Sequence, residues 1–480
     1  MKKYLLILSL LATIVLLPSM TLDLENLLNY ANQSTPTYIT KDNTGTNLIT
    51  DEGATLGRVL FYDKNISSTN TISCSSCHHQ EFAFGDTSLV SVGVNGVTGR
   101  HSMRLVNSRF AEEEKFFWDE RAFSLEAQTT MPVQDHIEMG YSGTNGDPDF
   151  QDLLEKLDTI AYYNDLFFLA FGDTAITENR IQLALAQFVR SIQSFDAPYD
   201  LGRSQVGNDN MPFPNFNQQQ NNGKTLFIAP AVFNEDGLRV DGGFGCAGCH
   251  RPPEFDIDPN SKSNGVVFTP GSTTPNGGVD TIVFRSPSLR DLVNPNGMVN
   301  GMFMHTGNLA TLNNVVNHYN RINLFPQVPG IVEVIDDRLI PNGNPQDLNM
   351  TNQERNGLVA FLGTLTGSDV YSNEKWSDPF DENGILTILN SPITATNEVE
   401  KIESTFYPNP TSDDLNINIG LENYVVEVYE PQGKLIRELN SENNDTLISF
   451  GKLNSGIYFV VIKDESGSIL LSKKILKIDQ

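Results

Sequence analysis

The sequence predicts a mainly α-helical chain that ends in a small all-β sandwich. Three observations carry that reading. Two stretches, Cys74-Ser75-Ser76-Cys77-His78 and Cys246-Ala247-Gly248-Cys249-His250, share the pattern Cys-x-x-Cys-His and use all four cysteines. Apolar residues recur at helical spacing after Thr177 (Ile181, Leu185, Phe188, Ile192) and after Thr351 (Leu358, Phe361, Leu362, Leu365). Near the end Leu415, Ile417 and Ile419 alternate with polar residues, the pattern of a half-buried strand.

In chain order, Met1-Lys2-Lys3 is a basic start and Tyr4 to Leu17 an apolar run too short to span a bilayer, so residues 1–20 read as a secretory signal peptide. Residues 21–50 are polar, rich in Asn and Thr and without period, an irregular lead-in. A first compact region, 51–205, opens on Leu56-Gly57-Arg58-Val59-Leu60-Phe61 and holds the first Cys-x-x-Cys-His. Polar residues 204–222 lead into a second region, 206–367, which holds the second motif and a helix ending at Tyr319. Thr351 and Glu354 form a capping-box signature for its last helix. Residues 368–400 lose periodicity and read as a linker. The sandwich is expected in 401–480, with a turn at Pro431-Gln432-Gly433 and no His or Cys.

Cys-x-x-Cys-His is the attachment pattern of a c-type haem. On one helical turn the two sulfurs share a face, where they form thioethers to the vinyl groups, and the histidine beside them offers a ring nitrogen to the iron. A zinc half-site would need a partner pair in a small knuckle, and a redox dithiol would need a βαβ frame. Neither context is present, so two covalent haems are expected, bound by Cys74, Cys77, His78 and by Cys246, Cys249, His250. The chain of 480 residues is 39% hydrophobic with a net charge of −27, which argues against nucleic acid or an anionic membrane as partner. That acidity suits a basic partner such as a small cytochrome, although acidic surfaces also serve solubility alone.

The order of these motifs resembles the bacterial dihaem cytochrome c peroxidase/MauG family over about residues 51–367. The resemblance is carried by the two haem motifs, Phe117-Trp118-Asp119-Glu120-Arg121-Ala122, Gln128, Glu138-Met139 and Met304-His305-Thr306-Gly307. It implies two cytochrome c-like haem domains with few strands, an N-terminal haem that reacts with hydrogen peroxide and a C-terminal haem that passes electrons in. It assigns Glu138 as the catalytic acid-base group, Gln128 as the residue positioning peroxide, and Trp118 as a relay between the haems. Without the resemblance Glu138 reads as a surface carboxylate and Trp118 as core. The tail from Phe406-Tyr407-Pro408-Asn409-Pro410 resembles a type IX secretion sorting domain, which implies passage across the outer membrane to the cell surface or the extracellular medium by that machinery, with the periplasm as the alternative.

Two departures from the family pattern bear on mechanism. Where typical members carry a blocking His in Ser-x-Gly-His, this chain reads Ser91-Val92-Gly93-Val94, and valine cannot bind iron. His101 is a weak substitute for that ligand; it aligns better with the family's calcium-region Asn, which puts a calcium ion in doubt. At the second haem, Tyr319 stands fourteen residues after His305, where peroxidases of the family carry a Met ligand. Tyr319 is the expected ligand, with Met302, Met304 and His318 as alternatives; a tyrosinate favours oxidised iron where Met raises the potential. The expectation is an exported peroxidase drawing electrons from a small redox protein. A peroxide-dependent oxidase of a protein or organic donor, and a non-catalytic dihaem electron carrier, stay open, as does a homodimer.

Overall fold

The computed structural model describes residues 27–387, 404–430, 434–464 and 469–478, apart from 113, 273–277, 283–284, 286, 326–327 and 329. The expected signal peptide lies outside the described residues. The chain divides into two compact units, Met1–Ser391 and Pro392–Gln480.

The first unit holds two principal apolar cores. One is built on α1 (Asp51–Tyr62), α2 (Leu125–Thr130), α3 (Phe150–Asp158), α4 (Ala161–Phe171) and α5 (Glu178–Ser191). The other is built on α6 (Pro198–Arg203), α7 (Gln218–Ile228), α8 (Leu312–Asn320) and α10 (Asn352–Gly363), while the short α9 (Ile331–Val334) closes a small satellite cluster. Both cores use the same device at a helix crossing. A Cβ on Gly57 of α1 would lie 2.0 Å from the Ala184 carbonyl oxygen of α5, and one on Gly223 of α7 would lie 1.9 Å from that of Gly357 on α10. Each pair therefore approaches to a distance that only glycine permits. Local signals set the helix starts: Thr50 accepts from the Gly53 amide, Thr177 from that of Arg180, and Thr351 with Glu354 forms the expected capping box.

The expectation of a mainly α chain needs correction. Among the described residues no α-helix occurs in 83–124 or 258–311, and two small antiparallel hairpins pair β1 (Ala231–Phe233) with β2 (Arg239–Gly242) and β3 (His250–Arg251) with β4 (Asp256–Ile257). The irregular segments are held instead by side chains bonding backbone, as where Asn107 donates to the Ser194 carbonyl and accepts from its amide. The expected linker 368–400 is also corrected in its first half. Val370, Trp376 and Leu386 return to the first core, the Trp376 indole donates to Ser191 Oγ, and the Tyr371 hydroxyl donates to Asp291. Trp376 has no apolar neighbours at helical or strand spacing to announce it, so periodicity missed it.

The second unit is the expected sandwich. One sheet orders β5 (Ser404–Tyr407), β6 (Asp414–Ile419) and β9 (Asp445–Ser449). The other orders β11 (Ile469–Lys477), β10 (Gly456–Lys463), β7 (Tyr424–Tyr429) and β8 (Leu435–Ser441), all antiparallel. Leu415, Ile417 and Ile419 of one sheet share a core with Val426, Val428, Val460 and Ile462 of the other. No helix among the described residues is long and apolar enough to cross a membrane.

Candidate functional site

Both Cys-x-x-Cys-His motifs form single 3₁₀ turns, Cys74–Ser76 and Cys246–Gly248, closed by the Cys77 amide on Cys74 O (3.1 Å) and the Cys249 amide on Cys246 O (3.1 Å). No disulfide joins any of the four cysteines. Each motif opens onto its own cavity. The first, about 470 Å³, is lined by Cys77 and His78; the second, about 500 Å³, by Cys246, Cys249 and His250. His78 Nδ1 meets the Phe84 carbonyl at 3.2 Å, which fixes the ring and leaves Nε2 for a metal. Burial lowers the pKa of both His78 and His250 to about 4, so each ring is neutral, the form that ligates iron. In the second cavity His250 Nδ1 is buried without a hydrogen-bond partner, and so, further along its wall, is His305 Nε2, which has only the Asp280 carboxylate at 3.9 Å. Cysteine pairs without disulfides and neutral imidazoles around cavities of this size fit two covalent haems.

The first cavity brings together Glu138, Gln128 and Trp118. Gln128 lies on α2, whose start is fixed by Ser124 accepting from the Ala127 amide. Pro132 cannot continue that helix, and the chain turns at Asp135, whose Oδ1 accepts from the amides of Ile137 (2.8 Å) and Glu138 (3.0 Å). That turn delivers Glu138 to the cavity. Burial raises the Glu138 pKa to about 7, aided by the Asp135 charge and opposed by Arg121. The Ser91–Gly99 loop lies against the same turn: Val94 N donates to Glu138 O (3.0 Å), and a Cβ on Gly93 would meet Ile137 O at 2.0 Å. His101 lines both cavities, but its Nδ1 is engaged with the Ser88 carbonyl at 2.8 Å.

Trp118 lines both cavities as well. Its indole donates to His101 O (2.7 Å), and its ring meets that of His305 edge-on with centroids 6.2 Å apart. These two rings sit in equivalent loops. Phe116 bridges to Ala122 as Phe303 bridges to Leu309, Phe117 and Met304 both take positive φ (71° and 66°), and Ser124 and Thr311 cap the helices that follow. The spacing from Trp118 to Pro132 equals that from His305 to Tyr319. Pro132 lines the first cavity where Tyr319 lines the second.

The second cavity holds three of the four ligand candidates, Tyr319, Met302 and Met304. His318 is directed elsewhere, with Nε2 on the Asn264 carbonyl at 2.9 Å. Asn264 Nδ2 lies 3.1 Å from the Tyr319 hydroxyl oxygen and 3.2 Å from Met304 Sδ. Burial raises the pKa of Tyr319, and the Asn264 bond opposes that shift. Sequence reasoning passed over Pro132, Asp135 and Asn264. Pro132 was detectable from the matched loop spacing; Asn264 is fifty-five residues from Tyr319 and carries no sequence signal. Among the described residues no group of three or more His, Cys, Asp or Glu side chains is arranged to hold a further metal ion.

Comparison with known proteins agrees with this geometry. The family model for di-haem cytochrome c peroxidase matches residues 51–206, and that for a secretion system C-terminal sorting domain matches residues 405–477. The methylamine utilization protein MauG of Methylorubrum extorquens is 30% identical over 331 residues, 66% of this chain and 79% of that protein. MauG of Methylophilus methylotrophus is 29% identical over 329 residues (67% and 84%), and cytochrome c551 peroxidase of Nitrosomonas europaea 27% over 325 (65% and 80%). The crystal structure of a MauG-like protein associated with microbial copper homeostasis superposes with a TM-score of 0.56 at 27% identity, covering 72% of this chain and 99% of that one. With two haem-attachment turns facing two cavities and relatives of this similarity, the chain belongs to the di-haem cytochrome c peroxidase family, as a peroxidase-type oxidoreductase that carries a C-terminal sorting domain for export and cell-surface delivery.

Proposed function

We propose that the chain reduces hydrogen peroxide in the first cavity with electrons entering through the second. The observation that carries this reading is the pairing of Pro132 with Tyr319. A proline side chain offers no donor atom, so Pro132 would leave a haem iron held by His78 free to take peroxide, and Glu138, with a pKa raised to about 7, lines the same cavity. The bound haem supplies the iron and the electrons for breaking the O–O bond. Glu138 takes the proton from the inner peroxide oxygen and returns it to the outer one, which leaves as water. Two protons and two electrons convert one peroxide to two waters. The Gln128 amide orients the peroxide by hydrogen bonding, and the half-buried wall around it limits competing water. Trp118, in the wall common to both cavities, is the relay for electrons between them. Val94 in place of a His leaves no ligand to be displaced, so activity needs no prior reduction.

In this reading His250 and Tyr319 would hold the second haem's iron, and Asn264 donates to the Tyr319 oxygen. Electrons come from a small, positively charged redox protein such as a cytochrome c, in keeping with the net charge of −27. Type IX secretion machinery reads the tail after a signal peptide at 1–20 has started export. Calcium is not required by any step.

A second reading, a peroxide-dependent oxidase acting on a protein or organic donor, is favoured by Tyr319 itself, because an anionic ligand holds the second iron oxidised. Steady-state peroxide consumption with a reduced small cytochrome, set beside organic donors, tests both. Fast turnover with the cytochrome supports the peroxidase. Turnover with organic donors alone moves the assignment to the oxidase, and no turnover with any donor leaves an electron carrier.

A further inference from the structure

Two arginines, Arg104 and Arg285, line both cavities, a third, Arg100, lines the first alone, and they are not equivalent. Arg100 faces the first cavity and is committed to Asp119 (2.7 Å) and Asp280 (2.7 Å). Arg285 lies over the Phe116 ring. Arg104 lines both cavities, its Nε is buried without a partner, and its one hydrogen bond is a long one from Nη2 to the Ser288 carbonyl at 3.4 Å. Among the described residues no carboxylate comes within ion-pair distance of it; the negative charge that acts on it is the buried Asp291, through space and without a hydrogen bond. Room for its stem is made at Gly85, where a Cβ would stand 2.8 Å from Arg104 Cγ.

A guanidinium taken out of water with its donors unsatisfied is costly, and an anion that accepts from those donors offsets the cost. Burial lowers the Arg104 pKa to about 10 against the opposing charge of Asp291, which still leaves it charged at neutral pH. The two groups whose attachment turns face these cavities each bring two carboxylates, the haem propionates. A planar, forked donor is the side chain best matched to carboxylate oxygens. The same wall suits a divalent cation poorly. His101 stands at the calcium-region position, its Nδ1 is occupied by the Ser88 carbonyl, and a fixed guanidinium beside it repels a second cation.

We propose that Arg104 is the carboxylate-binding residue of the wall shared by the two haem cavities, holding haem propionates and supplying there the positive charge that a bound calcium ion would otherwise provide. The proposal rests on the two-haem reading. A positive charge in the wall of both cavities would favour the reduced state of an iron held in either, so Arg104 would raise both midpoint potentials and couple the two sites electrostatically.

The test uses the full-length holoprotein. Haem is counted by pyridine haemochrome, calcium by elemental analysis, and both potentials are read by spectroelectrochemistry in wild type, Arg104→Met and Arg104→Lys. The wild type should hold two haems and no stoichiometric calcium, and a calcium chelator should leave its spectra and potentials unchanged. Arg104→Met should keep its haems and lower both potentials, on the order of tenfold in each reduction equilibrium constant or about 59 mV. Arg104→Lys should restore most of that shift. Unchanged potentials in Arg104→Met with two haems bound would overturn the assignment while leaving the two-haem reading intact; fewer than two haems in wild type would sink both. If Arg104→Met does not assemble, the wild-type calcium measurement decides: one tightly held calcium per chain, whose removal alters the haem spectra, refutes the proposal.

Discussion

Replacing Glu138 by Gln should separate proton handling from haem binding. The carboxyl's pKa is raised from 4.5 to about 7 by burial first and by Asp135 second, with Arg121 opposing. At 1.36 kcal/mol per unit, that shift is on the order of 3 kcal/mol of preference for the protonated form. The group must be ionised to accept the first proton from peroxide, so kcat/KM should rise with pH through about 7 and level off above it. Gln keeps the volume and removes the base, and peroxide cleavage should fall about 10²-fold or more with both haems retained. The stability effect has the opposite sign. The folded state binds this proton more tightly than the unfolded chain does, so ionising Glu138 costs stability progressively from about pH 4.5 to about 7, and fully above. Glu138→Gln should therefore be the more stable protein at pH 8, by up to about 3 kcal/mol, with the gain vanishing in acid. Asp135→Asn keeps the oxygen that accepts from the Ile137 and Glu138 amides but removes the like charge, so its rate profile should shift toward acid pH. The assay is stopped-flow peroxide decay across about pH 5 to 9, with thermal unfolding at the same pH values. Near-wild-type cleavage by Glu138→Gln, or a flat profile through neutral pH, would refute the role.

Further outcomes are open to direct measurement. Tyr319→Met should raise the second haem's potential and give a methionine-type near-infrared band; a wild-type protein that already shows that band would identify Met302 or Met304 as the ligand. Cys74→Ala with Cys77→Ala should leave one covalent haem by mass spectrometry, and two surviving haems would end the attachment assignment. The as-isolated oxidised protein should contain a high-spin component and turn over peroxide without a reductive lag, because Val94 and Pro132 supply no ligand; an all-low-spin spectrum with a lag would point to His101. Ending the chain at Ser391 should preserve both haems and activity while abolishing cell-surface delivery. Ending it at Thr366 should cost in addition about 3–5 kcal/mol in thermal or denaturant unfolding, because Trp376 is lost from the first core.

The sequence by itself determined the chemistry that depends on neighbours along the chain. Cysteines at i and i+3 with a histidine at i+4 need only one turn to form an attachment site, and one turn is what residues 74–76 and 246–248 adopt. Thr351 with Glu354, and the alternation at Leu415 to Ile419, are likewise local, because cap and pleat are set by residues a few positions apart. The tertiary structure decided what depends on separate segments meeting. The segment after residue 367 reads as linker because nothing local holds it, yet Trp376 completes a core begun at residue 51. Glu138 looks like any surface carboxylate until Pro132 and Asp135 turn it into a cavity where burial moves its pKa. Asn264 reaches Tyr319, and Arg104 reaches the wall common to both cavities, through irregular backbone with no period to read. Attachment is written locally because covalent geometry acts over a few residues; proton affinity and potential are not, because they are set by the burial and charges of whatever the fold brings alongside.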